Sequence, residues 1–592
     1  MHSKSNLISY IWSHFSAFAF ALLFLTGTAS LARAQQPTPS PEPPSPVPPA
    51  VTNYRTQQRP LPEMGRVGVD TSRNRPLSLR DAISMALQNN KDIEVERDHV
   101  KMAEFDLLGA RGAYDPKFST TAFYERVENP ISSFLSGGSN GATTTTDYTG
   151  TARFEGLGPK LGGSYHIDFS SIRLTTNNVF AALNPTYPSA LTFSYTQPLL
   201  RGLKFDNTRR QVEIAKKNLS LTDAQFRQRA IETITNVQRA YWDLVFALRN
   251  VQIQVDAVRV ARSQLEHNQR LVQEGQLAPI DVVAAEAQIT TFEQDVYSAL
   301  EEVSKTENNL KNLIAENQNS ALWSEPIVPT DSVDLVVPDI TLPDALKTAM
   351  ENRPELQASN VVREINEIDQ RFFKDQKKPG IDLVGSYGMV GLAGAVSTAT
   401  NPFTGSSAQL RDAVNRLLRN ANFDPLPDPP AQTISPNLIG SYPQSVENLL
   451  ANRFNNFRVG VQINLPLRNR TAEAQYGRSL VEAQQIATQR EQLEQNIQVE
   501  VRNALQAMRS AQARLQAAAA TRAANERQLT SEQRKLDAGQ STTFLVLERQ
   551  TALTAARGAE LKAQTDLNKA IADLHRATGN ALRVNSVVVN AK

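Results

Sequence analysis

A mostly α-helical, internally duplicated chain with a minority of membrane-type β-strands is predicted by three features of the sequence. Long tracts repeat apolar residues at 3/4 spacing, similar landmarks recur at a near-constant offset, and short segments beside the helices alternate apolar and polar residues. Together they imply a wall of long antiparallel helices, with four strands per chain entering a transmembrane barrel that further copies complete.

Residues 1–34 are expected to be a signal peptide. Lys4 supplies the positive start, Phe15–Leu25 the apolar stretch, and Ala32-Arg33-Ala34 a small-x-small cleavage site. Ser13 and His14 interrupt the apolar run, leaving it shorter than the ~20 residues a spanning helix needs. Residues 35–74 form a linker whose PTPSPEPPSPVPP run suits a stiff, exposed spacer. No later stretch is long and apolar, so insertion of the remaining chain into a membrane must use strands.

The duplication is read from three landmarks. Leu79, Asp81, Ala82, Ala86 and Asn89 recur as Leu342, Asp344, Ala345, Ala349 and Asn352; Gly275 within LVQEGQLAPIDV recurs as Gly539 within KLDAGQSTTFLV; and Gln197-Pro198-Leu199 recurs as Leu465-Pro466-Leu467. The offsets are 263, 264 and 268 residues. The repeats are placed at residues 75–325 and 326–582, with a short tail at 583–592.

Each repeat opens with a helix of about 36 residues, Leu77 to Gly112 and Leu342 to Lys377. A strand-like stretch follows, then a long helix, Phe205 to Val272 and Asn469 to Leu536. The latter carries Leu493, Ile497, Val501, Leu505, Met508, Ala511 and Leu515 at coiled-coil spacing. At ~1.5 Å per residue such a helix reaches about 100 Å. Gly275 and Gly539 end the long helices by permitting a left-handed residue, and Pro279 suits the first turn of the return helix. Return helices near Ile280 to Ala315 and Phe544 to Gly579 match the opening helices in length, so each short pair is expected to stack end to end beside a long one.

Four segments alternate with period two: Lys117–Val127, Leu191–Thr196, Ile381–Gly388 and Arg458–Leu465. Aromatic residues cluster between Phe118 and Tyr195 and thin out in the final helices, as interfacial girdles do. Four strands cannot close a barrel, and an open edge cannot face lipid, so several copies are required. The place of the additional strand-like segments Thr149–Phe154 and Ser164–Ser170 stays open. Leu392 to Asn455 reads as a long exposed linker with a helical patch at Ala408–Asn420.

Catalysis is not expected. The 62 Lys and Arg balance 60 Asp and Glu, which argues against nucleic-acid binding, and the absence of cysteine removes thiolate chemistry and Cys-ligated metals. The six histidines lie at no metal-ligand spacing, and no hydrolase, P-loop or dinucleotide motif is present. No metal or cofactor is expected.

The duplicated helix-strand-strand-helix halves, the TQPLLRG stretch at Thr196–Gly202 and the G-x-x-[AT]-x-x-x-V turns at Gly275 and Gly539 resemble the TolC family of outer-membrane efflux proteins. The resemblance covers about residues 75–582. It implies a TolC-like homotrimer in which each protomer gives four strands to a twelve-stranded barrel in outer-membrane lipid and helices to an α-barrel in the periplasm. It further implies a periplasmic adaptor and an inner-membrane RND, ABC or MFS-type transporter as partners. Gly275, Pro279, Gly539 and Thr542 would then sit at the helix tips where adaptors dock. Asp281, six residues past the first glycine, and Glu548 would line the aperture, although Leu545 departs from the family pattern. Asp281 equally suits a helix N-terminus through the helix dipole. Pro198, Arg201, Pro466 and Arg468 would mark the barrel-to-tunnel junction, with their arginines solvated or paired. The competing expectation is a soluble periplasmic coiled-coil scaffold or adaptor, but an adaptor has one helical hairpin in β-rich domains and this chain has two hairpins.

Overall fold

The computed structural model describes residues 66–588 apart from 71, 134–135, 139–140, 335, 400–401 and 428–433. The segments expected to be a signal peptide and, for the most part, a proline-rich linker lie outside the described residues. The first half runs β1 (Arg75–Leu77), α1 (Leu79–Asn89), α2 (Lys91–Arg111), β2 (Lys117–Pro130), β3 (Ala142–Leu157), β4 (Ser164–Thr176), β5 (Leu183–Pro198), α3 (Asn207–Gln273) and α4 (Pro279–Ile314). The second half runs β6 (Ile327–Pro329), α5 (Leu342–Asn352), α6 (Pro354–Gln376), β7 (Gly380–Val396), α7 (Pro402–Asn420), α8 (Tyr442–Leu450), β8 (Phe454–Asn464), α9 (Arg470–Asp537), α10 (Thr543–Ala577) and α11 (Ala581–Val584).

The long helices α3 and α9 span 67 and 68 residues and begin and end within two residues of expectation. The opening helix differs from its expectation: in both halves it is two helices. Asn90 and Arg353 adopt extended backbone at the break, with ψ of 128° and 121°. In the second half Pro354 excludes its predecessor from the helical region. In the first half the Asn90 side chain instead caps the next helix, accepting from the Asp92 amide at 3.0 Å.

Each break meets the end of a return helix. The amides of Asn89 and Asn90 donate to the carbonyls of Ile314 (3.0 Å) and Leu313 (3.2 Å), and Arg353 Nε donates to that of Ala577 (3.0 Å). These are the carbonyls a helix C-terminus leaves unpaired. α2 with α4 and α6 with α10 therefore stack end to end along the long helices as expected, but not with matched lengths: α2 and α6 have 21 and 23 residues, α4 and α10 have 36 and 35.

Apolar burial holds the columns together. Ala82, Ile83 and Ala86 of α1 and Leu310 and Ile314 of α4 pack on Tyr241, Trp242, Leu244 and Val245 of α3. Leu505, Met508 and Ala511 of α9 pack on Leu567, Ile571 and Leu574 of α10. Ion pairs join the halves: Arg239 to Asp573 (2.9 Å) and Lys569 to Asp243 (2.8 Å) from α3 to α10, and Arg210 to Asp369 (2.6 Å) from α3 to α6. β1 and β6 form a separate parallel pair beside the first core.

The remaining strands form one sheet in the order β2-β3-β4-β5-β7-β8, every neighbouring pair antiparallel. The expected count was four. The sheet holds six because the segments around 149–154 and 164–170 are long enough to hydrogen-bond as a full hairpin between β2 and β5. Directly paired residues share a face. One face carries Phe118, Tyr124, Phe154, Tyr165, Ile167, Phe169, Leu191, Phe193, Leu383, Tyr387, Phe457, Val459, Val461 and Ile463. The opposite face carries Lys117, Ser119, Thr151, Arg153, His166, Asp168, Thr192, Ser194, Asp382, Arg458 and Gln462.

The linker expected from Leu392 to Asn455 is more ordered than predicted. β7 runs on to Val396, and α8 was missed altogether because nine residues are too few to show a helical period. α8 lies on the aromatic face of the sheet, toward the ends of β5 and β7 remote from α3 and α6. Ser445 hydrogen-bonds Ser189 (2.8 Å), and Asn448 donates to the carbonyl of Leu392 (2.9 Å). A Cβ on Gly391 would stand 2.1 Å from the Ser445 carbonyl oxygen and 2.6 Å from Ser189 Oγ. Gly391→Val is accordingly expected to lift α8 off the sheet at a cost of about 1–3 kcal/mol. Faster proteolysis within 436–453, with the oligomer otherwise retained, is the outcome to measure.

Candidate functional site at the helix tips and barrel junction

The two tips are built alike. Gly275 and Gly539 have φ of 77° and 71°, the left-handed region that glycine enters without a Cβ penalty. The Gln276 amide donates to Leu271 O (2.8 Å) and the Gly275 amide to Val272 O (3.1 Å); Gln540 and Gly539 repeat this onto Lys535 (2.8 Å) and Leu536 (2.9 Å). This double bond pattern closes a helix C-terminus. Pro279 then opens α4 as its first residue, and Thr542 caps α10, its hydroxyl accepting from the Leu545 amide at 3.4 Å. All four tip residues chosen from the sequence stand where a helix stops or restarts.

Asp281 sits in the first turn of α4, half-buried, with its amide donating to the Ala278 carbonyl at 3.0 Å. Its carboxylate does more than face the helix dipole. Thr543 Oγ1 donates to it at 2.5 Å, so the first tip is bonded to the second. Thr543, buried at the start of α10, was missed because its partner lies 262 residues away. Glu548 lies exposed on the second turn of α10. The end of α9 adds an open groove of about 480 Å³ lined by Glu526, Arg527, Thr530, Arg534, Lys535 and Gln540.

At the junction Pro198 closes β5, and the next amide, Leu199, donates to Ile381 O at 2.7 Å. Arg201 makes no ion pair among the described residues. Its guanidinium lies over Gly380, where a Cβ would come within 2.9 Å of Nη2. The carboxylate that holds this turn is Asp375, buried, accepting from the Gly202 amide at 2.7 Å and from Lys378. Asp206 caps α3 by accepting from the Arg209 amide at 2.8 Å. Pro466 and Arg468 are exposed between β8 and α9, where Asn469 donates to the Gln376 carbonyl at 3.0 Å. Neither Asp375 nor Asp206 carries a local motif that marks it in the sequence.

Among the described residues no helix is long and apolar enough to cross a membrane. The outer membrane efflux protein family model matches residues 155–316 and 438–580, two separate stretches that together exceed half the chain. A search of curated proteins returns no match. Solved structures with the same fold include a membrane protein from Pseudomonas aeruginosa, with a TM-score of 0.57 and 16% identity over 84% of this chain and 92% of that one. The Campylobacter jejuni CmeC outer membrane channel aligns with a TM-score of 0.56 and 15% identity over 85% of this chain and 86% of that one. The Neisseria gonorrhoeae MtrE outer membrane channel aligns with 0.53 and 17% identity over 85% and 89%. The doubled match fits the duplication and favours the channel over the soluble scaffold or adaptor. The chain belongs to the outer membrane efflux protein family, as a passive channel subunit in the outer membrane with its helical tunnel in the periplasm.

Proposed function

We propose that three copies of this chain close into one trans-periplasmic duct, in which residues 75–325 and 326–582 act as equivalent wall units. The observation that carries this is that the sheet and the helical layer both end in unsatisfied edges. Among the described residues β2 and β8 have one paired side each. On α2, Val95, Met102, Phe105 and Leu108 form an exposed apolar stripe at helical spacing. Backbone groups at a sheet edge cannot be left unpaired in hydrocarbon, so a second copy must cover them. Channels of this family are trimers that work with adaptors and inner-membrane pumps. For this chain, the tip turns Gly275–Pro279 and Gly539–Thr542 dock the adaptor, and an RND, ABC or MFS-type transporter feeds the duct. A native mass of three chains in detergent is the expected result, and a freely soluble monomer would overturn the reading.

Asp281 and Glu548, repeated by symmetry, form a carboxylate ring at the aperture that favours cations. Asp281→Asn with Glu548→Gln is expected to lower the cation preference measured in planar bilayers. An unchanged reversal potential retires the ring and leaves Asp281 as a bond between tips.

A further inference from the structure

We infer that the β3–β4 hairpin belongs to the membrane wall, so that a trimer closes eighteen strands instead of twelve and accepts cargo too wide for a twelve-stranded barrel. This rests on the three-copy duct proposed above and adds the size class of what it carries.

Four observations support it. First, the hairpin is paired on both sides: Lys117–Pro130 with Ala142–Glu155, Thr145–Leu157 with Ser164–Thr176, and Ser164–Ser171 with Ser189–Thr196, the last pairing recurring above only at Leu174 with Thr186. Strands of 16 and 13 residues match the heights of their neighbours, 14 and 16.

Second, the two faces run on through the half of the hairpin nearer the long helices; above Ser170 the alternation reverses, with Arg173 beside Tyr148 on the apolar face and Ile172 and Leu174 on the polar one. Phe118, Phe154, Ile167 and Phe193 stand at one level on the apolar face. Beside them Ser119, Arg153, Asp168 and Thr192 stand on the polar face, where Arg153 binds Asp168 at 2.6 Å. A hairpin outside the wall has no need to keep this alternation, whereas a strand between lipid and a wet lumen does.

Third, its lower turn is keyed to the barrel floor. The Gly158 amide donates to the Gly163 carbonyl at 2.6 Å, and Gln197 Nε2 donates to the Leu161 carbonyl at 2.8 Å. Gly162, with φ of 67°, lies so close to the β5–α3 turn that a Cβ would stand 2.6 Å from the Gly202 carbonyl oxygen. The hairpin thus ends level with the junction.

Fourth, the added pair keeps the strand number even. β2 and β8 therefore still run in opposite directions, and the β8 edge of one copy can join the β2 edge of the next antiparallel.

The widths agree. Four helical columns side by side (α2 with α4, α3, α6 with α10, and α9) span about 32–40 Å at ordinary helix spacing. Four strands tilted as in membrane barrels cover only about 25 Å, and six cover about 38 Å. Eighteen such strands close at a backbone radius of about 18 Å, against about 12 Å for twelve. The lumen face, with Ser, Thr and charges of both signs, suits bulky hydrated solutes.

The chain has no cysteine, so single introduced cysteines report uniquely. In the full-length trimer in outer membranes, a charged thiol reagent is expected to label Ser170→Cys on the lumen face and spare Phe169→Cys on the lipid face. Equal labelling of the two overturns the inference. A shortened chain, with residues 131–182 replaced by a tight turn, joins β2 to β5 with the faces still in phase. Ser194→Cys in each background is then probed from outside with maleimide-polyethylene glycols of graded size. The largest reactive polymer is expected to be about 1.5-fold wider for the full chain; an equal cut-off overturns the inference. If the shortened chain does not assemble, the Ser170 and Phe169 pair decides. A native mass other than three chains counts against the duct itself, while a trimer that labels both positions counts against the wider barrel alone.

Discussion

Replacing Glu307 with alanine is expected to loosen the β1–β6 region by about 3–5 kcal/mol, the cost of stranding a buried charge. Glu307 on α4 is 1% exposed. Its Oε2 takes Arg66 Nη1 at 2.7 Å and stands 3.7 Å from Lys311 Nζ, while Oε1 accepts the Ile327 amide at 2.7 Å. Lys311 is fully buried, and its other close partner among the described residues is the Trp323 carbonyl at 3.0 Å. Burial holds the Lys311 pKa below the ordinary lysine value, and Glu307 opposes that shift. Without the carboxylate, an ammonium and the first amide of β6 lose their partner together.

Hydrogen exchange at the amides of 325–330 is the measurement, with acceleration on the order of 100-fold or more expected in Glu307→Ala. Glu307→Gln keeps an acceptor for Ile327 and is expected to fall between. Glu307→Gln combined with Lys311→Met, which removes both charges, is expected to recover part of the loss. Unchanged exchange in the alanine variant would show that the Arg66–Glu307–Lys311 group does not hold this region.

Val459→Arg is expected to abolish the assembled channel while Gln462→Arg leaves it intact. Both residues lie on β8, three positions apart, but Val459 pairs with Gly385 on the aromatic face and Gln462 with Asp382 on the polar one. An arginine at mid-height on a lipid-facing surface costs about 2–4 kcal/mol. In a symmetric oligomer that cost recurs in every copy. The polar face already carries Arg458, so another cation there meets water. The readout is the fraction of heat-resistant oligomer in membranes. Equal loss in the two variants would mean that the faces are assigned wrongly.

The parts of this fold legible in the sequence are those set by local chemistry. Gly275 and Gly539 marked the ends of the long helices because a left-handed residue has few substitutes, and the structure places both there. The boundaries of α3 and α9 followed from them. Alternation in Leu191–Thr196 and Arg458–Leu465 marked strands, since a half-wet sheet leaves no other pattern. The tip residues were legible for the same reason, as turn chemistry.

What stayed hidden depends on residues far apart in the chain. The break at Asn90 is stabilised by the carbonyls of Leu313 and Ile314, more than 220 positions away, and the Asp281–Thr543 bond joins opposite halves. Asp375 holds the junction turn only because α6 returns beneath β5.

By itself, the sequence determined that the chain is a doubled set of long helices and amphipathic strands that cannot be complete alone. Helical period, strand alternation and glycine stops are written in neighbouring residues. The tertiary structure alone decided that six strands, not four, share one sheet. Whether a hairpin joins a wall or stands outside it turns on inter-strand hydrogen bonds and on the fit of Gly162 under the Gly202 carbonyl, contacts no local pattern records.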